Sequence, residues 1–384
     1  MKAIKVLHVV SVDKENYYLN NLTDFTDPNE IEFSFATFYP QCDFGRELEK
    51  RGKRVYYLDC LQSSRYSQAF RKLREIYKAF SKLREIYKQE NPDIIHTHLF
   101  DPTFIGLMAA RWRKTVFTRH HSDATHEIAS SLKRTFYLKL EAFNNRRADH
   151  IIAPSQMVRD ILVEKENVPS KKVSLVPYGQ TTERFDAVTK EKIEYVQAEL
   201  DMKKNLALVC TSRLFPRKGH QYLFEAFADL REKGLDATLY LVGTGDYKGV
   251  LEKLAKDLQI EKRVKFLGWR DDALVIIAAA DIIVHPSLED ALSSAVIESL
   301  MMEKPIIATD ISGVRDTLND GKYGKIVPPA DAESFRAALS ETIENLGSAR
   351  EKAKEGRKYL LEYMSAERVA KEYTKIYQKL LQSN

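Results

Sequence analysis

"DIIVHPSLEDALSSAVIESLMMEKPIIATD" (residues 281–310) passes from an apolar, β-branched run through a polar turn into a helical pattern, and back into a second apolar run. Residues 281–285 and 305–309 read as strands, and a helix is expected to begin near Ser293. Strand, helix, strand in that order lays two parallel strands under a crossover helix. The same unit recurs on either side. One series of strands reads at 3–11, 32–38, 55–59, 94–98, 115–120, 150–154 and 173–177. A second reads at 206–211, 238–242, 264–267, 281–285, 305–309 and 325–327, with helical patterns such as FEAFADLREKG (224–234) in the gaps.

Two such series imply an α/β protein with two doubly wound domains. That agrees with 384 residues, more than one core usually holds. The stretch VPYGQTTERF (176–185) has the Pro, Gly and polar residues of a link. The expected divisions are 1–180, 181–355, and a helical tail at 356–384 that crosses back to the first domain.

The chain is 44% hydrophobic and 30% charged, the balance of a soluble enzyme. Cys42, Cys60 and Cys210 have neither metal-ligand nor disulfide spacing, which suits a reducing compartment. MKAIKVLHVVS reads as a first strand and not as a leader. No apolar run approaches about 20 residues, the length that spans a bilayer. Of the net charge of +5, residues 65–88 alone carry +6, so the basicity is local and no nucleic-acid partner is expected. Leu73, Ile76, Phe80, Leu83 and Tyr87 in that segment recur at helical spacing. The basic face is either solvated or lies weakly on an anionic membrane.

In open α/β sheets ligands bind beyond the carboxyl ends of the strands. His98, His120 and His121 stand there in the first series. In the second stand Arg213 and Lys218, Gly243 and Gly245, Gly268-Trp269-Arg270, and Asp290. Two such edges facing each other would form a cleft. Arg213 and Lys218 can grip phosphate by paired bonds and by point charge. The turn at Gly243 and Gly245 lets a ligand approach the backbone. Around Ala291, Leu292, Ser293 and Ser294 the first N–H groups of a helix would favour an anion. Asp290 either contributes to that site or simply caps the helix. Glu298, among Ser294, Ala295, Met301 and Met302, needs donors, and a ribose diol would supply them. Its alternatives are a solvated groove or a basic partner.

These residues resemble the retaining family-4 glycosyltransferases of the GT-B fold along nearly the whole chain. PDIIHTH (92–98), VPYGQTTERF, SRLFPRKG (212–219) and LVGTG each match a family motif. The block at 286–329 follows the family's Glu-x7-Glu pattern, with Asp290 in place of the first Glu. The resemblance implies two Rossmann-like domains facing a deep interdomain cleft. It implies that Arg213 and Lys218 bind the donor diphosphate and that Glu298 holds the ribose. Asp290 and residues 291–294 would meet the sugar and phosphates, His120 the sugar, and the backbone of 268–270 the base. The first loop, SVDKENYYLN (11–20), lacks the family's paired glycines.

The expected function is hexose transfer, with retained configuration, from a nucleotide diphosphate sugar (UDP before GDP) to a carbohydrate or lipid-linked acceptor. It would take place in the cytoplasm or at the inner membrane face, with no cofactor and no divalent metal. A non-catalytic GT-B subunit and a nucleotide-sugar epimerase of the same architecture remain the alternatives.

Overall fold

The computed structural model describes residues 2–14, 16–60, 69–120, 130–290 and 292–382, with backbone alone over 69–73. His121, Ala291 and the first residues of the 65–88 segment lie outside them. The chain divides into two units, residues 1–180 with 364–384, and residues 181–363.

The first unit is built on seven strands: β1 Ile4–Val10, β2 Ile31–Thr37, β3 Arg54–Tyr57, β4 Ile94–His98, β5 Lys114–Thr118, β6 His150–Ala153 and β7 Val173–Leu175. Every pairing is parallel and the order is 3-2-1-4-5-6-7. Successive side chains of β1 face opposite layers, the period-2 consequence of a strand covered on both sides. Val6 and Val10 pack with Phe33, Phe35, Tyr373 and Tyr377, whereas Leu7 and Val9 pack with Leu83, Ile86, Tyr87 and Ile105. The second face is therefore covered by the basic helix Ala69–Glu90, which buries Leu83, Ile86 and Tyr87 and leaves Tyr77 exposed.

The second unit repeats the plan with six strands: β8 Leu206–Thr211, β9 Ala237–Val242, β10 Val264–Gly268, β11 Ile282–His285, β12 Ile306–Thr309 and β13 Lys325–Val327. They too are parallel, in the order 10-9-8-11-12-13. The order reverses between β8 and β11, as it does between β1 and β4. Such switch points open a crevice beyond the strand ends.

The division expected at 355/356 falls inside a helix, Leu346–Tyr363, that belongs wholly to the second unit. Gly356 lets that helix close on its neighbours. A Cβ there would come within 2.9 Å of Leu300 and of Tyr323. The chain enters the first unit only at Met364. There Gln180 N–H donates to the Met364 carbonyl at 2.6 Å, and Ala366 N–H returns a bond to Gln180 at 2.9 Å. Helix Ala366–Gln382 then lays Val369, Tyr373 and Tyr377 on the sheet. Among the described residues no helix is long and apolar enough to cross a membrane.

Candidate functional site

In the second unit the loop after β8 is stitched to the loop after β11. Gly219 sits at φ +66, and a Cβ there would lie 1.9 Å from the Pro286 carbonyl oxygen. Only glycine tolerates both the conformation and the approach. Leu288 N–H completes the join, donating to the Arg217 carbonyl at 2.8 Å. This junction sets Lys218 against Asp290, with Nζ donating to Oδ2 at 3.0 Å. Asp290 therefore does not cap the following helix. The helix is Ser294–Met301 and its N-cap is Ser293. Ser293 does not cap it by side chain either, because its Oγ bonds His285 Nε2 at 3.1 Å. Leu292 and Ser293 are buried and Ser294 is exposed. The first turn thus keeps N–H groups that no side chain cap satisfies, beside a lysine held by one carboxylate.

Two buried imidazoles lie behind this pair. His285 is held near pKa 4 by burial, with Asp290 opposing and Lys218 assisting. His220 is likewise lowered to about 4 by burial, then by His285 and Lys218. Both are neutral at pH 7, and each bonds a serine through Nε2, His220 to Ser212 at 3.0 Å. They add no charge to offset an incoming anion. Arg213, exposed, stacks on Phe215 at 5.2 Å and makes no ion pair among the described residues.

Gly243 and Gly245 have a structural reason of their own. A Cβ on either would stand 2.1 Å from a backbone oxygen, of Ser212 and Leu214 respectively. They let the loop after β9 close on the loop that carries Arg213. Gly243 N–H also donates to the Gly268 carbonyl at 2.8 Å. Beyond it Trp269 is exposed, with its indole donating to Asp271 at 2.9 Å. Arg270 is clamped by Glu199 at 2.7 and 3.0 Å and by Asp272 at 2.8 Å. Its side chain is committed to those carboxylates.

Glu298 takes the basic-partner alternative. Arg184 Nη1 donates to its Oε1 at 2.9 Å. Burial raises the Glu298 carboxyl above its usual range, and Arg184 pulls it back. Arg184 was overlooked although it stands in the quoted TTERF, because its partner lies 114 residues away.

In the first unit His120 heads a chain of rings. His8 Nδ1 meets His98 Nε2 at 2.8 Å, His98 Nδ1 meets His120 Nε2 at 3.0 Å, and His120 Nδ1 meets the Tyr178 hydroxyl at 2.7 Å. Both ring nitrogens of His120 are engaged, so a sugar contact through either requires one of these bonds to open. Burial lowers the pKa of His8 to about 3 and holds His98 well below 6.5. Tyr18, from the helix capped by Asn16 in the glycine-free first loop, packs edge-on to His98 and His120. His8, Tyr18 and Tyr178 were not foreseen. Only the strand-end position of His98 and His120 signalled this cluster. His8, His96 and His98 bring ring nitrogens within 4.8 Å of one another. His96, however, spends both of its nitrogens on Tyr377 and Thr118, each at 2.7 Å. A metal there would have to displace that network.

Two family models match the chain: Glycosyltransferase Family 4 over residues 42–184 and Glycosyl transferases group 1 over 191–359. An Escherichia coli UDP-Gal:alpha-D-GlcNAc-diphosphoundecaprenol alpha-1,3-galactosyltransferase is 28% identical over 257 residues, 65% of this chain and 66% of the relative. The lipopolysaccharide core biosynthesis glycosyltransferase LpsE of Rhizobium meliloti is 31% identical over 181 residues, 47% of this chain and 52% of the relative. The chain therefore spans between about half and two thirds of these relatives' length. Among solved structures, Anabaena HepE in complex with UDP superposes with a TM-score of 0.77 at 20% identity, over 98% of this chain and all of that one. The fold is GT-B.

Proposed function

We propose that this chain, a GT-B protein like the family-4 glycosyltransferases, transfers a hexose from a nucleotide diphosphate to an acceptor hydroxyl with retained configuration. The observation that carries the reading is the second-unit site. Lys218 is fixed beside Asp290, the exposed Arg213 makes no ion pair among the described residues, and the helix at Ser294 starts without a side chain cap at Ser293. That arrangement suits a doubly charged leaving group.

In the transfer the bond from the anomeric carbon to the diphosphate oxygen breaks, and a bond from that carbon to the acceptor oxygen forms. The acceptor proton passes to the departing phosphate on the same face of the sugar. Negative charge grows on the leaving oxygen, where fixed cations and helix N–H groups lower the barrier. Removing one such donor costs on the order of 100- to 1000-fold in rate. Arg213 and Lys218 take the part a divalent ion would otherwise play. Glu298 accepts from the ribose through the oxygen that Arg184 leaves open, and the backbone at 268–270 meets the base. The UDP-galactose of the Escherichia coli relative and the UDP bound to HepE support a uridine nucleotide. The diphosphoundecaprenol acceptor of that relative and the lipopolysaccharide role of LpsE support a lipid-linked or polysaccharide acceptor.

The test is a thermal shift against UDP-, GDP- and ADP-sugars, followed by turnover of the stabilising donor in EDTA. A ligand at 100 times its Kd adds about 2.7 kcal/mol. Transfer to an added acceptor, with the product anomer matching the donor, is expected. No shift with any nucleotide overturns the reading. Conversion of the sugar nucleotide without acceptor replaces it with an epimerase.

A further inference from the structure

The first unit carries a second concavity, at the ends of its strands opposite to His98 and His120. It is about 580 Å³ in volume, within the range of roughly 300–1,000 Å³ of ligand sites. Three separate elements close it. Lys114 and His150 open β5 and β6. Lys171 and Lys172 lie on the turn into β7. Lys375 and Lys379 stand one helical turn apart on Ala366–Gln382. Ile376, Leu380 and Pro169 add an apolar wall.

Five lysines thus line the hollow together with one carboxylate, Asp149, and Lys375 also donates to Glu372 on its own helix at 3.3 Å. Asp149 Oδ2 is already taken by the Thr115 N–H and hydroxyl, each at 2.8 Å. Lys172 donates to the carbonyls of Asn145 and Arg146, at 2.5 and 3.1 Å, and burial lowers its pKa while Asp149 opposes. His150 registers the surplus. Burial, then Lys379 and Lys172, lower its pKa to about 4, leaving it neutral with Nε2 at 2.9 Å from Ser174 Oγ. A solvated lysine face on one helix would not converge with cations from two other elements around one hollow.

We propose that this concavity binds a phosphorylated group, with Lys171, Lys172 and Lys375 donating to the phosphoryl oxygens and Ile376 and Leu380 carrying the attached carbon skeleton. It lies apart from every residue of the transfer reaction and does not depend on that reading.

The local reporter is the His150 ring. In NMR titration of the whole chain with inorganic pyrophosphate at pH 7, its resonances should shift saturably. Pyrophosphate bound in the other unit would leave them unmoved. The exposed pair Lys171→Gln/Lys375→Gln should weaken the effect about tenfold or more. Co-sedimentation with phosphatidylcholine vesicles, plain or with one part in four phosphatidylglycerol, separates the sources. Binding to the anionic vesicles that the double variant loses identifies a lipid headgroup. A pyrophosphate response without vesicle binding identifies a soluble phosphate ester. No His150 response together with no vesicle binding, or responses equal in wild type and double variant, overturns the site.

Discussion

Arg184 and Glu298 form a 2.9 Å ion pair within the second unit, each side chain about one fifth exposed (22% and 19%). The carboxylate expected to hold a ribose is therefore also a structural anion. Its carboxyl is raised by burial, and Arg184 is the group that keeps it ionised. A carboxyl raised on folding costs stability once it ionises. That cost is absent below the unfolded value and grows as pH rises through the folded value. Arg184→Gln should accordingly destabilise at pH 7 by about 2 kcal/mol, below the ~3–5 kcal/mol for a fully buried pair because water reaches both ends. The loss should shrink at pH 4, below that raised value, where Glu298 is already protonated. Denaturant midpoints at the two pH values check this. An equal loss at both would mean that the pair is not what the arginine contributes.

Lys218 and Arg213 differ in what the fold asks of each. Lys218 is the largely buried partner of Asp290, whereas Arg213 is exposed and stacks on Phe215. Lys218→Ala removes the lysine partner of a carboxylate that lies beside two neutral imidazoles and should cost about 1–3 kcal/mol. Arg213→Ala should stay within about 0.5 kcal/mol of wild type. Both should abolish sugar transfer. Calorimetric melting beside the transfer assay separates the two effects. A Lys218→Ala protein as stable as wild type would show that Asp290 finds another cation.

The strands were legible because short β-branched runs between Gly-, Pro- and Asp-bearing turns have few other readings, and β4, β8 and β13 fall where the pattern put them. The strand-end rule also put Lys218, Asp290 and His120 beyond the ends of β8, β11 and β5, where they lie. It could not pair them. Which cation meets Glu298 depends on how residues 114 apart are folded together, and no local spacing encodes that. The boundary expected at 355/356 fails for the same reason: Gly356 is a contact point inside a helix, and the neighbours it packs against, Leu300 and Tyr323, are distant in sequence.

The histidine chain makes the sharpest demand on the first unit. Each link joins an Nδ1 to an Nε2, and a link between neutral rings holds one proton. His8, His98 and His120 must therefore share one tautomer when neutral. At the inner end His8 Nε2 is buried without a partner, beside Phe33 and Phe35. A proton there would be an orphaned donor, the costlier of the two states. The chain should run outward, with His8, His98 and His120 all carrying hydrogen on Nδ1 and Tyr178 accepting from His120. Charging His120 would reverse every link and place that orphan on His8, so the chain also resists protonation. Two-bond ¹H–¹⁵N spectra of the imidazoles at pH 7 read the tautomers directly. Nδ1–H on all three rings is the expected result. A mixed set, or an imidazolium at any of the three, would break the chain as drawn. Tyr178→Phe takes away the outer acceptor and should change the His120 signals most and those of His8 least.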